Sequence, residues 1–256
     1  MGRSRQKVRA AAQKKRRQRV ILCIAAISTV IAAVLAFRVI PHLLDLTTFR
    51  REQATLAKLS PFDAHLLEIN PDYAGRLKVD GTDIDFLVVR GSDNVEYLNT
   101  TFYGEENVLG AVFMDYRCTE EMPHIIIYGH SAHDENDNAL KFGKLYDFLD
   151  EDFLAAHPTI TFMENNSLSE FEIFSARVTD IHDHAYHLDF SAPGSFEAFL
   201  ERNGAPVDAE QIITLSTCIG VDNDIRFIVQ GAFKRTIPVT AEQSKDGVWI
   251  IARPPE

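Results

Sequence analysis

The sequence predicts a mainly antiparallel β-barrel or sandwich carried behind one membrane-spanning helix. Three observations predict it. From residue 76 onward there are seven or more short segments of strand-like composition, with few helical segments between them. Residues 20–37 are eighteen positions without a charge, about 27 Å as a helix at ~1.5 Å per residue, enough to cross the apolar core of a bilayer. Residues 1–19, directly before that run, carry nine Lys/Arg and no acid, which predicts that the N-terminus stays in the cytoplasm and the rest lies outside.

The elements follow in order. The basic tail (1–19) and the anchor (20–37) lead into a helical stalk over 38–59, where Leu43, Leu44, Leu46, Phe49, Leu56 and Leu59 form a partial apolar stripe. A cleavable signal peptide, with Val34-Leu35-Ala36 as cleavage site, is the rival reading of the N-terminus. The long basic region and the length of the apolar run favour an uncleaved anchor. A globular domain occupies 60–256. It opens on a helix with Ser60 as N-cap and Pro61 at the first helical position, running to Ile69 and stopping before Asn70-Pro71. The period then becomes strand-like. Residues 76–79 and 84–89 flank Asp80-Gly81-Thr82-Asp83 and read as a hairpin. Residues 110–116 and 124–128 are further strands. Residues 141–156 repeat Phe142, Leu145, Phe148, Leu149, Phe153 and Leu154 at helical spacing, closed by His157-Pro158. Strands 159–163 and 170–181 flank Asn165-Asn166-Ser167, a short helix over 195–202 ends at Asn203-Gly204, and strands 211–217, 225–233 and 247–252 complete the chain.

Charge excludes one function class. The chain is −11 overall, so residues 20–256 carry −20. An acidic domain of this kind has no electrostatic footprint for nucleic acid. Of three cysteines, Cys23 lies in the apolar run, and Cys118 and Cys218 fall in the domain outside. A structural Cys118–Cys218 disulfide, in a membrane-tethered binding module, is one reading of that pair. The other makes Cys218 a nucleophile.

The second reading rests on three strand ends. Ile213-Thr214-Leu215-Ser216-Thr217 runs up to Cys218. Arg226 stands eight residues beyond, inside the next apolar run, where a buried guanidinium needs a partner such as Asp222 or Asp224. His124-Ile125-Ile126-Ile127-Tyr128 ends in Gly129-His130. A thiol, an imidazole and a guanidinium brought together suit acyl transfer: attack, proton shuttling and oxyanion stabilisation. His182, His184 and His187 have metal-like spacing, and Asp134, Glu135 and Asp137 an acidic one. Both sit in polar loop sequence, without the pattern of a structural zinc or EF-hand site. No metal or cofactor is expected.

Thr214-Leu215-Ser216-Thr217-Cys218 with Arg226, and Tyr128-Gly129-His130 upstream, resembles the class B sortases of Gram-positive bacteria. Asn70-Pro71-Asp72, Val88-Val89 leading to Asp93-Asn94 and Tyr97-Leu98-Asn99, Met114-Asp115-Tyr116-Arg117 and the segment 142–157 stand in that family's order, so the resemblance covers about residues 60–240. It implies an eight-stranded sortase barrel with N-terminal helices, and peripheral helices that include one before the cysteine strand. It implies a membrane-bound cysteine transpeptidase that cleaves secreted proteins after Thr in an Asn-Pro-x-Thr-like C-terminal sorting signal. The product is joined to an amine of a peptidoglycan precursor or of a pilin lysine. Cys218 matches the nucleophile, His130 the acid/base and Arg226 the oxyanion clamp; Asn94, Leu98, Tyr128 and Ser216 match the substrate groove. A thiol hydrolase that uses water instead of an amine is a further alternative. There are departures. Arg76 stands where the family usually has Trp, Ile219 where some relatives have a polar or acidic residue, and the histidine-rich 182–187 where the specificity loop begins.

Overall fold

The computed structural model describes residues 2–56, 63–119, 121–134, 136–219, 222–243 and 249–252. The chain divides into two compact units, Met1–Thr47 and Thr48–Glu256. Helix α1 (Gly2–Leu56) is continuous. Within it Arg17–Ala36 has a mean hydropathy of 2.4 and none of it is buried, so by length and composition it can cross a membrane. Helix α2 (Asp63–Ile69) follows; the proposed cap at Ser60 and Pro61 lies outside the described residues.

Eight strands close a barrel. They are β1 (Tyr73–Val79), β2 (Asp85–Val89), β3 (Val112–Met114), β4 (His124–Tyr128), β7 (Thr159–Glu164), β8 (Ser167–Asp180), β9 (Ile212–Ile219) and β10 (Asp222–Pro238), in the order β1-β2-β3-β4-β9-β10-β8-β7, with β1 also pairing β7. Between β4 and β7 a small hairpin, β5 (Ser131–His133) with β6 (Ala139–Lys141), stands apart. A second pair, β11 (Thr240–Gln243) and β12 (Trp249–Ala252), follows β10; β11 has no counterpart in the sequence reading. Most barrel pairings are antiparallel, but β2–β3 and β4–β9 are parallel. The parallel strands explain the unbroken apolar run 125–127: Ile125, Ile126 and Ile127 are all buried, as expected of a strand covered on both faces.

Local chemistry sets the corners. Asn165 and Asn166 both have positive φ (49° and 55°), and Glu164 pairs with Ser167. A two-residue hairpin needs left-handed residues there, and asparagine tolerates that conformation best after glycine. Gly204, at φ 67°, caps α4 (Ser195–Asn203).

The amphipathic segment 141–156 is not one helix. It is a 3₁₀ stretch, Phe142–Leu149, followed by α3 (Glu151–Ala156). Asp150 breaks it: with extended backbone, its side chain accepts from the amides of Asp152 and Phe153 as an N-cap. The apolar spacing still does its work, since Phe142, Leu145 and Phe148 are buried and Tyr146 stacks on Phe227 at 4.7 Å. Arg76, the departure from the family's Trp, makes a bidentate pair with Asp85 across the β1–β2 hairpin, at 2.6 and 2.9 Å.

Candidate active site

Strand register brings the site together. β9 and β10 are antiparallel with Cys218 opposite Arg226, and β4 and β9 are parallel with Tyr128 opposite Ser216. Gly129 N donates to Ser216 O at 3.2 Å, which keeps the chain beside β9 until it leaves at His130. Gly129 is required there by close approach: a Cβ would come within 2.9 Å of the Phe142 ring. The side chain of Cys218 lies outside the described residues; its backbone completes the pairing with Arg226.

A cleft of about 350 Å³ opens at this end of the barrel. Asn94, Leu98, Tyr128, His130, Ser216 and Arg226, all selected from sequence, line it together, joined by Phe113, Arg117, Ile181, Tyr186 and Thr217. His130 Nε2 lies 2.8 Å from Leu98 O. A carbonyl can only accept, so Nε2 carries the proton in the neutral ring. Burial pushes the His130 pKa down; the bond to Leu98 opposes this, and the charge of Lys141 adds to it. The ring is therefore neutral at rest near pH 7. Arg226 is half-buried and its Nη1 donates to Ile225 O at 3.1 Å.

The groove wall hangs on a carboxylate for which the sequence suggested no role. Asp115 is fully buried and accepts from Asn94 Nδ2 (2.9 Å), Tyr128 Oη (3.0 Å) and Arg117 Nε and Nη2 (2.9 and 2.8 Å). Burial alone would raise its pKa, but the hydrogen bonds from Arg117 and Asn94 outweigh that and hold it below the usual value. Tyr116 N donates to Asn94 Oδ1 at 3.0 Å, so both ends of the Asn94 amide are anchored. Elsewhere in the cleft Tyr186 and Ser216 share a hydroxyl–hydroxyl bond of 2.8 Å. Met114-Asp115-Tyr116-Arg117 was visible as a motif; nothing in it signalled that its acid would gather three groups of the wall.

The histidine-rich stretch forms a short 3₁₀ turn, His184–Tyr186, capped by Asp183, which also takes Arg177 at 2.9 Å. His187 Nε2 meets Asp189 O at 2.6 Å, and Asp134 takes up amides of its own loop, Asn136 N and Asn138 N, both at 2.9 Å.

The disulfide reading is overturned. Cys118 is a free, buried thiol whose Sγ points at His124 O, 3.8 Å away. His124 pairs with Ile212 at the far end of β9 from Cys218. Six residues of strand at ~3.3 Å each separate those ends by about 20 Å, whereas a disulfide needs Cα atoms within about 7 Å. Burial also pushes the Cys118 thiol up to about 11, so it is inert at neutral pH.

Comparison with known proteins bears on the family and the fold. A family model for the sortase domain matches residues 77–234. Sortase B of Listeria monocytogenes is 32% identical over 180 residues, covering 65% of this chain and 71% of that protein. The X-ray structure of Clostridium perfringens sortase B superposes with a TM-score of 0.61 at 29% identity, over 68% of this chain and 100% of that one. A Staphylococcus aureus sortase B–substrate complex gives 0.60 at 26% identity, over 77% and 96%.

Proposed function

The chain belongs to the sortase family, as a class B member and a cysteine transpeptidase, and from that premise we propose the following reaction and residue roles. The substrate is a secreted protein with an Asn-Pro-x-Thr-like C-terminal sorting signal, cut after Thr. The acceptor is an amine of a peptidoglycan precursor or of a pilin lysine.

Cys218 gives its proton to His130 and attacks the Thr carbonyl. Arg226 donates hydrogen bonds to the tetrahedral oxyanion. Collapse breaks the C–N bond, and the leaving amine takes the proton from His130, leaving a thioester on Cys218. The acceptor amine then attacks, His130 takes its proton, and Cys218 departs as thiolate, so the sequence is ping-pong. Asn94, Leu98, Tyr128 and Ser216 hold the signal peptide in the groove. The carrying observation is the register that sets Cys218 opposite Arg226 while His130 leaves the neighbouring strand into the same cleft.

The layout is a cytoplasmic basic tail (1–19), a single-pass anchor in the plasma membrane (20–37), a helical connector (38–59) and an extracellular catalytic domain (60–256). The exposed apolar stretch of α1 supports the anchor. Anchoring would bring the enzyme, the secreted client and a lipid-linked amine to one membrane face.

Mass spectrometry of the full-length protein with peptides based on Asn-Pro-x-Thr and candidate amines tests the reading. A thioester on Cys218 that partitions to an amide when an amine is added is the expected result. Water-only products at every amine concentration would replace it with a hydrolase, and adducts on no cysteine would end it.

A further inference from the structure

Two ionisable side chains have no part in the reaction above, the half-buried Glu52 and the buried Lys141. They meet where residues 48–56 of α1 lie against the barrel. Lys141, the last residue of β6, is 4% exposed. Its backbone sits at φ 49° and ψ −127°, which residues other than glycine rarely adopt. Its ammonium donates to the carbonyls of Leu109 and Gly110 and lies 5.6 Å from the centre of the Phe49 ring. Glu52 is one helical turn from Phe49, and its buried Oε1 has no hydrogen-bond partner among the described residues. Both side chains line one small cavity with about 40 Å³ of space for water. A buried ammonium needs a counter-charge, and Glu52 is the acid that acts on it.

Lys141 reaches the catalytic histidine from two sides. On one side its backbone pairs with Ser131, and Phe142 N donates to His130 O at 3.1 Å, so β5 and β6 fix where the His130 main chain turns. On the other side the Gly110 carbonyl, which takes the ammonium, belongs to a residue pressed on the Leu98 carbonyl. A Cβ at Gly110, whose φ is +54°, would stand 2.5 Å from Leu98 O. That oxygen is the one holding His130 Nε2. One ammonium thus ties the loop that orients the ring to the hairpin that carries it.

We propose that Lys141, with Glu52 as its counter-charge, is a positioning residue for His130, so that the end of α1 is part of the catalytic support. The inference rests on the role given to His130 above. The charged and titratable groups facing the pair are few. Arg51 and Glu105 bind each other at 3.0 Å beside Glu52, and Tyr103 lies next to them. Arg50 pairs with Asp134 at 3.4 Å on the β5–β6 loop. Burial pushes Lys141 down to about 8, with Glu52 opposing, so the amine is charged at neutral pH. Its field helps to keep the His130 ring neutral, after burial.

The test uses the full-length chain in detergent, with Lys141→Met, Lys141→Arg and Glu52→Gln. Three quantities are measured: the thermal midpoint, kcat and KM for peptide transfer across pH, and the titration of the His130 ring carbon by NMR. In folded Lys141→Met, kcat should fall about tenfold or more, with KM within about twofold. The His130 ring should titrate at higher pH, and the pH limb assigned to it should move the same way. Lys141→Arg should restore both in part. Glu52→Gln should shift both in the same direction by less, since the amine loses charge without its acid. A folded Lys141→Met with unchanged kcat and unchanged His130 titration overturns the proposal. If that variant does not fold, Glu52→Gln decides: movement of kcat and titration supports it, and constancy of both overturns it. Retained transfer by His130→Ala would instead sink the reaction scheme, and the NMR titration would still read the Lys141–His130 coupling.

Discussion

β4 begins with His124 and delivers His130 just past its end, and the two imidazoles have opposite settings. His124 is fully buried with both nitrogens engaged: Nδ1–H donates to His187 O at 2.8 Å, and Nε2 accepts from Thr214 Oγ1 at 2.8 Å. Gln230 Nε2 also donates to Thr214 Oγ1 at 3.1 Å, and Arg177 donates to Gln230 Oε1 at 2.6 Å. The thiols repeat the contrast. Cys118 is sealed beside His124, whereas Cys218 stands one residue from the end of its strand, opposite Arg226, which lines the cleft. The same residue types, at or beside the two ends of one parallel strand pair, are structural where the fold satisfies their polar atoms. They become candidates for chemistry where the strands run out into a cavity.

That contrast can be broken most decisively with the cysteines. Cys218→Ala should abolish turnover and the thioester adduct. Cys118→Ala should keep kcat near wild type and cost on the order of 1 kcal/mol of stability; equal loss of transfer in both would erase the distinction. Next is the guanidinium. Arg226→Lys keeps the charge but replaces a two-pronged donor with a point donor, and kcat should drop by about 10²-fold. A drop in substrate affinity alone would move Arg226 from the oxyanion to the groove.

The sealed end makes a pH prediction. Burial pushes His124 down to about 4 from 6.5, and the hydrogen bond to the His187 carbonyl only partly opposes it. The folded protein therefore binds fewer protons than the unfolded chain between those values. Stability is complete above about pH 6.5 and falls as pH drops towards 4, by about 3 kcal/mol for this group. Denaturant titrations of wild type and His124→Gln across that window should show the variant with the shallower pH dependence, whatever its overall stability. The smallest effect is expected at the groove wall. Tyr128→Phe removes one donor from Asp115 and should raise KM about threefold with kcat nearly unchanged; a large fall in kcat would put the phenol in the chemistry.

Legibility in the sequence followed the range of the interactions. β4 and the β1–β2 hairpin could be read from local pattern, because an Ile-rich run and an Asp-Gly turn signal themselves. The cleft residues could be read because Cys218, His130 and Arg226 each stand at or near a strand end. Much of what escaped depended on partners distant in the chain, and one feature on a local cap. The Leu98 carbonyl that orients His130 is a backbone atom and leaves no mark on composition. Asp115 is an acid that gathers Asn94 and Tyr128 from other segments, besides its near neighbour Arg117. The break at Asp150 was hidden because apolar spacing continues across it, while one carboxylate capping two amides decides the backbone. β10 runs past both ends of its apolar stretch because β8 pairs with it as far as Pro238 and β9 pairs Ile219 with Asp222.

The parallel pairing of β4 and β9 has a further consequence. Two neighbouring strands that run the same way cannot be joined by a turn, so a long connection, more than eighty residues between Tyr128 and Ile212, separates them, and it supplies the barrel strands β7 and β8 on its way. That detour includes Ile181 and Tyr186, which reach the cleft wall. Evolution or an engineer could exchange the stretch between β8 and β9 to change which peptide is read, while His130 just past β4, and Cys218 and Arg226 on β9 and β10, stay untouched.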